Sequence, residues 1–238
     1  MQCIILATLT RTEARFSTVM PLEMTAANDD STRDQLLDAA EELFIEDGLN
    51  GASLRAIGRR AGQRNASAMQ YHFENRDGLI VAILDRRMGQ LEGIRREIID
   101  SALTENPEPS FRQCLALLVR SAMSFCARDA RFRDVFGLLG PHLLSSELYL
   151  APLRQKSRPK SLTRVQSLIA DQLSHLPPKI LGLRLENMQG MTFLAISRRA
   201  AKQQSFSNAE SRLFEANLVD QMAAMLVAEV SPETLAAS

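Results

Sequence analysis

Between Ser53 and Arg76 the chain carries Arg55, Arg59, Arg60, Arg64 and Arg76 against a single acid, Glu74. Guanidiniums at that density displace counterions from a phosphate backbone, so the chemistry they suit is the binding of a polyanion. The chain as a whole is neutral, with 28 basic and 28 acidic side chains, so the basic stripe is local rather than compositional. Polar side chains lie within it. Gln70 can pair bidentately with adenine and Arg64 with guanine, each for about 1–3 kcal/mol of discrimination.

Other chemistry finds no constellation. The three histidines, His72, His142 and His175, stand far apart, and Cys3, Cys114 and Cys126 form no CxxC pair. No metal site, zinc motif or disulfide framework is therefore expected. GxxxxGK[ST], GxGxxG and GxSxG are all missing, which removes the local phosphate-loop, dinucleotide and nucleophile-elbow signatures. The expectation is a protein that is not an enzyme and needs no cofactor. No apolar run approaches the roughly 18 residues of a membrane helix. The early stretch at 3–9 has no basic flank and no cleavage site of a secretory signal. A soluble, cytoplasmic protein follows.

The elements that must position the basic stripe are helical, because apolar residues recur at i, i+3, i+4 and i+7 almost throughout and strict alternation is rare. Residues 1–30 lack a sustained stripe and read as a disordered tail. A first amphipathic helix over 31–48 turns Leu36, Leu37, Ala40, Leu43 and Phe44 inward and Asp38, Glu41, Glu42 and Asp47 outward, ending at Gly48. Ser53 caps a short helix that stops at Gly62, and Asn65 caps a third through Tyr71. Two short helices joined by a tight turn are a helix-turn-helix, whose second helix enters the major groove. A long fourth helix runs from about Arg76 to Leu103 before the loop 105–109.

Beyond Pro109 the stripes are longer and more apolar. A fifth helix starts from a Ser110 cap, a short sixth one over 131–139 is broken by Gly140-Pro141, and helices follow over 161–176, 179–203 and 208–229. A helical bundle can hold a small molecule between its helices. The residues that suit such a pocket are Phe111, Arg120, Met123, Phe125, Phe132, Phe136, His142, Met188 and Met191, with Arg120 as partner for a ligand carboxylate or phosphate. A module with one recognition helix reads two half-sites as a dimer. Met188, Met191, Ala195, Leu218, Met222 and Met225, on the last two helices, suit a two-fold four-helix interface.

Residues 32–80 resemble the DNA-binding module of the TetR family of bacterial transcriptional regulators. The features that carry the likeness are the LxxAxxLFxExG helix ending at Gly48, the start at Gly51-Ala52-Ser53-Leu54, IxxxAG from Ile57 to Gly62, His72-Phe73, and Arg76-Asp77-Gly78-Leu79. Gly62 to Phe73 spans eleven residues where the family usually has ten, and Gln70 stands where the family usually has tyrosine, with Tyr71 beside it. The resemblance implies that Ser53, Tyr71, His72 and Arg76 bind phosphates and that Arg64, Asn65, Ser67 and Gln70 lie nearest the bases, while the charge pattern adds Arg55.

The expected architecture is all-α: an amino-terminal helix-turn-helix three-helix DNA-binding module over 31–78, then a larger helical ligand-binding and dimerisation bundle over 79–238. The expected partners are a double-stranded DNA operator, a small, largely apolar effector and a second copy of the chain, with no membrane. Repression is the default that the resemblance implies. The alternative is a helical small-molecule carrier or partner-binding protein that has lost specific DNA binding.

Overall fold

A computed structural model describes residues 22–63, 67–144 and 160–237, without the side chains of 22–29 and 141–144. Arg64, Asn65, the side chain of His142 and most of the expected tail lie outside the described residues. In chain order the helices are α1 (Leu22–Gly51), α2 (Leu54–Arg60), α3 (Ser67–Phe73), α4 (Arg76–Glu105), α5 (Phe111–Arg128), α6 (Ala130–Leu144), α7 (Lys160–Gln172), α8 (Pro178–Ala201), α9 (Ala209–Val227) and α10 (Pro232–Ala236). The fold is all-α, with no strand among the described residues.

Local chemistry sets the boundaries. The first helix begins at Leu22, ahead of the position where its apolar stripe starts, and breaks at Gly48, whose φ of 74° and ψ of 169° suit only glycine. Ser53 accepts a hydrogen bond from the Ala56 amide and starts α2, and Asn75 does the same for α4 through the Gly78 amide. A full capping box of Ser110 and Gln113 opens α5. Gly78 is required by close approach. A Cβ there would lie 2.1 Å from the Phe73 carbonyl oxygen, so only glycine lets α3 end against the first turn of α4.

Helix α6 corrects the expected break at Gly140-Pro141, because it continues to Leu144. Gly140 is a contact residue rather than a terminator. A Cβ on it would sit 2.3 Å from Ser197 Cβ, and one on Gly137 would sit 2.5 Å from the Ala201 nitrogen, so α6 and α8 approach almost backbone to backbone. Pro141 forgoes one helical hydrogen bond near the end of the helix, where the loss is small. Ala200 is fully buried, and it and Ala201 meet α6 of their own chain.

Two cores result. The first gathers Leu36, Leu37, Phe44, Ile57, Met69 and Phe73 with Leu79, Ile80 and Ile83 of α4, and it takes in Val135 and Leu139 of α6. The second fills the space among α4, α5, α6, α7, α8 and α9 around Leu115, Val119, Phe136, Ile169, Met188 and Met222. Phe193 borders both. Helices α4 and α6 therefore belong to both cores, which joins the amino-terminal module mechanically to the larger bundle.

Candidate nucleic-acid face and interior cavity

Helix α3 is anchored on one side and bare on the other. Met69 and Phe73 are buried at 6% and 3% exposure, while Ser67, Gln70 and Tyr71, at i, i+3 and i+4, stand exposed on the outer face. Tyr71 is 74% exposed, and its ring meets the His72 ring edge-on at 5.0 Å. An exposed tyrosine held by a neighbouring ring presents its hydroxyl outward, as a phosphate contact requires. His72 is half-buried.

The arginines divide by their partners. Arg55 and Arg59 are exposed on α2 and have no ion-pair partner among the described residues. Arg60 instead reaches back to α1, donating to both Glu46 carboxylate oxygens at 3.1 and 2.9 Å, and Glu42 lies 3.5 Å away. Those bonds hold the exposed Glu46 carboxyl below its usual pKa and the Arg60 guanidinium above its own. Arg76 also turns inward. Its Nη1 donates to the Ala52 carbonyl at 2.8 Å and its guanidinium lies over the Phe44 ring at 5.2 Å, so it braces the start of α4 against the α1–α2 turn rather than standing free for a phosphate. Ser53 is exposed with its hydroxyl oxygen engaged at the α2 cap.

Behind this face lies a buried ionic junction. Glu41, expected on the solvent side of the first helix, is 0% exposed. Arg87 donates to it through Nε at 2.9 Å and Nη2 at 2.5 Å, and Arg131 through Nε at 2.8 Å. Arg86 Nη2 lies 2.8 Å away, close enough for charge attraction but outside hydrogen-bonding geometry. Arg87 also reaches Gln90 and Asp129, and Arg131 donates to the Asp38 carbonyl. One carboxylate of α1 thus ties α4 to the start of α6. The correction has a physical cause: Glu41 is four residues after Leu37 and three before Phe44, so it shares their buried stripe, and the three arginines supply its counter-charge.

The larger bundle holds a half-open cavity of ≈ 190 Å³. Leu84, Met88, Leu91 and Arg95 of α4 form one wall, Leu118 and Ala122 of α5 a second, and Phe136 and Leu162 contribute from α6 and α7. Met188, Gln189, Thr192, Phe193 and Ile196 of α8, with Met222 of α9, complete it. Of the residues expected at a pocket, Phe136 and Met188 line it. Phe132 stacks between Phe125 and Phe136, with ring centroids at 3.9 and 5.2 Å, and so backs the wall. Met123 is buried in the core, and Phe111 and Met191 are half-buried.

Arg120 does not reach the cavity. It is 61% exposed on its side chain and donates to Glu215 of α9 at 2.6 Å, because its place on α5 faces outward. The cation at the cavity is Arg95, which periodicity alone could have found: Leu84, Met88, Leu91 and Arg95 fall at intervals of four, three and four along one helix face. Among the residues expected between subunits, Met188, Leu218 and Met222 are buried in the chain's own core, while Met191, Ala195 and Met225 are half-buried. Among the described residues, no group of His, Cys, Asp and Glu side chains could hold a metal ion, and no helix is long and apolar enough to cross a membrane.

Comparison with known proteins places this geometry. Residues 36–83 match the family model for bacterial regulatory proteins of the tetR family. The HTH-type transcriptional regulator SrpR of Pseudomonas putida is 37% identical over 68 residues, which are 29% of this chain and 32% of SrpR. The HTH-type transcriptional repressor BepR of Brucella suis biovar 1 (strain 1330) is 29% identical over 118 residues, 50% of this chain and 54% of BepR. The matched stretch thus spans about a third to a half of these relatives' length.

Among solved structures, a regulator from Shewanella sp. PV-4 provisionally assigned to the tetR family shares the fold with a TM-score of 0.50 at 18% identity, over 82% of this chain and 95% of that one. The fatty acid degradation regulator FadR from Bacillus halodurans gives a TM-score of 0.50 at 16% identity, over 83% and 95%. Residues 36–83 thus match the amino-terminal module of the tetR family of bacterial regulatory proteins, and the all-helical frame that carries it is shared with these solved structures along most of the chain.

Proposed function

We propose that the protein is a sequence-specific DNA-binding transcriptional regulator that sets α3 in the major groove and acts as a homodimer on a two-fold symmetric operator. The observation that carries this reading is the outer face of α3, where Ser67, Gln70 and Tyr71 stand exposed over a helix anchored by Met69 and Phe73. Arg55 and Arg59 add positive charge beside it for the flanking phosphates. Repression is the direction favoured by the relative named as a repressor. DNA as the partner puts the working protein in the cytoplasm.

The dimer face belongs to the outer sides of α8 and α9. Leu183, Leu213 and Val227 are 56%, 72% and 54% exposed there, apolar area that a second copy would cover. The effector is a small, largely apolar molecule in the ≈ 190 Å³ cavity. Its wall includes α4 and α6, which also build the core of the DNA-binding module, so ligand-induced movement of either helix shifts the recognition helices of the dimer. By linkage, operator DNA weakens effector binding by the factor by which effector weakens operator binding.

The test is selection of a randomised duplex library on the purified chain at moderate salt, followed by sequencing of the retained DNA. A two-fold symmetric motif is the expected result. Retention without a motif, from a folded protein, overturns specific recognition and favours the helical carrier instead.

A further inference from the structure

The cavity wall holds one polar group that its surroundings leave unmatched. Arg95 is 12% exposed on its side chain, and its Nη1 donates to Glu92 at 3.2 Å, yet its Nε is buried with no hydrogen-bond partner. Glu92 cannot swing to cover that nitrogen without giving up other bonds. Its Oε1 accepts the Ser161 amide at 3.1 Å and its Oε2 the Ser161 hydroxyl at 2.7 Å, which fixes the carboxylate against the start of α7. Thr192 and Gln189 spend donors on their own helix, bonding the Met188 and Leu185 carbonyls. The guanidinium is therefore held by one end with its Nε side unpaired in apolar surroundings, and this desolvation pulls its pKa below the usual value. A planar guanidinium binds a carboxylate best through just such an edge, with two parallel N–H donors.

We propose that the cavity selects a small carboxylic acid with an aromatic or branched apolar body, the carboxylate on the Nε edge of Arg95 and the body among Leu84, Met88, Leu118 and Phe136. The proposal rests on the cavity being the effector site. Size supports the class. An apolar cavity of about 150 Å³ holds benzene, so ≈ 190 Å³ suits a ring with one short acidic substituent. A wholly apolar ligand would leave the Arg95 donor as unmatched as before.

The experiment is calorimetric titration of the full chain with benzoate and phenylacetate and with their neutral amides, benzamide and phenylacetamide. The wild-type chain is expected to bind at least one acid roughly ten- to a hundredfold more tightly than its amide, the range for a hydrogen bond to a charged group. Arg95→Met is expected to abolish that preference while melting at or above the wild-type temperature, because it removes a buried cation with an unfilled donor. Arg95→Lys, which keeps the charge without the planar edge, retains part of the preference and carries the test should Arg95→Met fail to fold. Equal binding of acid and amide, acid binding unmoved by the substitutions, or no binding by either acid overturns the proposal. Acid bound through Arg95 without effect on operator binding leaves the anion site standing and removes its regulatory role. Operator release by amides but not acids does the reverse.

Discussion

Replacing Glu41 by glutamine tests whether the buried junction holds the two cores together. The substitution keeps the shape of the side chain and removes its charge from among three guanidiniums. Arg86 and Arg131 retain Asp38, at 2.9 and 3.8 Å, so they are not stranded. Arg87 is the group that suffers: its side chain is 7% exposed, it loses both of its bonds to an ionised partner in Glu41, and it keeps only Asp129 at 3.2 Å and the neutral Gln90. Breaking a buried pair costs about 3–5 kcal/mol, and the surviving partners place this case at the low end, about 3 kcal/mol. Urea unfolding followed by helical circular dichroism, at one fixed protein concentration because association adds to stability, reads that loss as a shift in midpoint. With a slope of about 3 kcal/mol/M, the midpoint falls by about 1 M. Glu46→Gln, which breaks the exposed pair with Arg60, is the control and should leave the midpoint unmoved. A loss below about 1 kcal/mol for Glu41→Gln would refute the reasoning, since it would make a fully buried charge equivalent to a surface one.

Arg55→Ala and Arg59→Ala should weaken duplex binding evenly across sequences and each reduce the slope of log affinity against log salt by about one, whereas Gln70→Ala should cost about 1–3 kcal/mol at one base position and relax specificity there. A uniform loss for Gln70→Ala would remove it from the reading set. Leu213→Glu, at a 72% exposed site on α9, should leave each chain folded but shift sedimentation toward the monomer, and an unchanged mass would move the dimer face elsewhere. Cys126 is buried with its thiol pushed up to about 12 by desolvation, so it should resist iodoacetamide at pH 8 in the native protein and react after denaturation. The same shift has a sign. The unfolded chain ionises this thiol near 9 and the folded one only near 12, so native stability falls as pH rises through that window, and Cys126→Ser should flatten the fall.

The features legible without any structure are those that short-range chemistry controls. The cap at Ser53, the break at Gly48 and the anchored helix carrying Ser67, Gln70 and Tyr71 are each decided within one or two turns, where side-chain spacing and backbone preference suffice. The same spacing placed Phe136 and Met188 in a greasy bundle. Tertiary structure decided which polar groups those stripes bury. Glu41 reads as an outward acid until α4 and α6 bring three arginines over it, and the stripe of Leu84, Met88, Leu91 and Arg95 marks a shared helix face without saying that five further helices make that face a cavity wall. Gly140-Pro141 reads as a stop until α8 packs against it, and Met188, Leu218 and Met222 turn to their own core rather than to a second copy. Periodicity reports that a residue lies on a face. What that face meets depends on elements far away in the chain, and for a charged side chain that partner decides between solvent, a structural ion pair and a binding site.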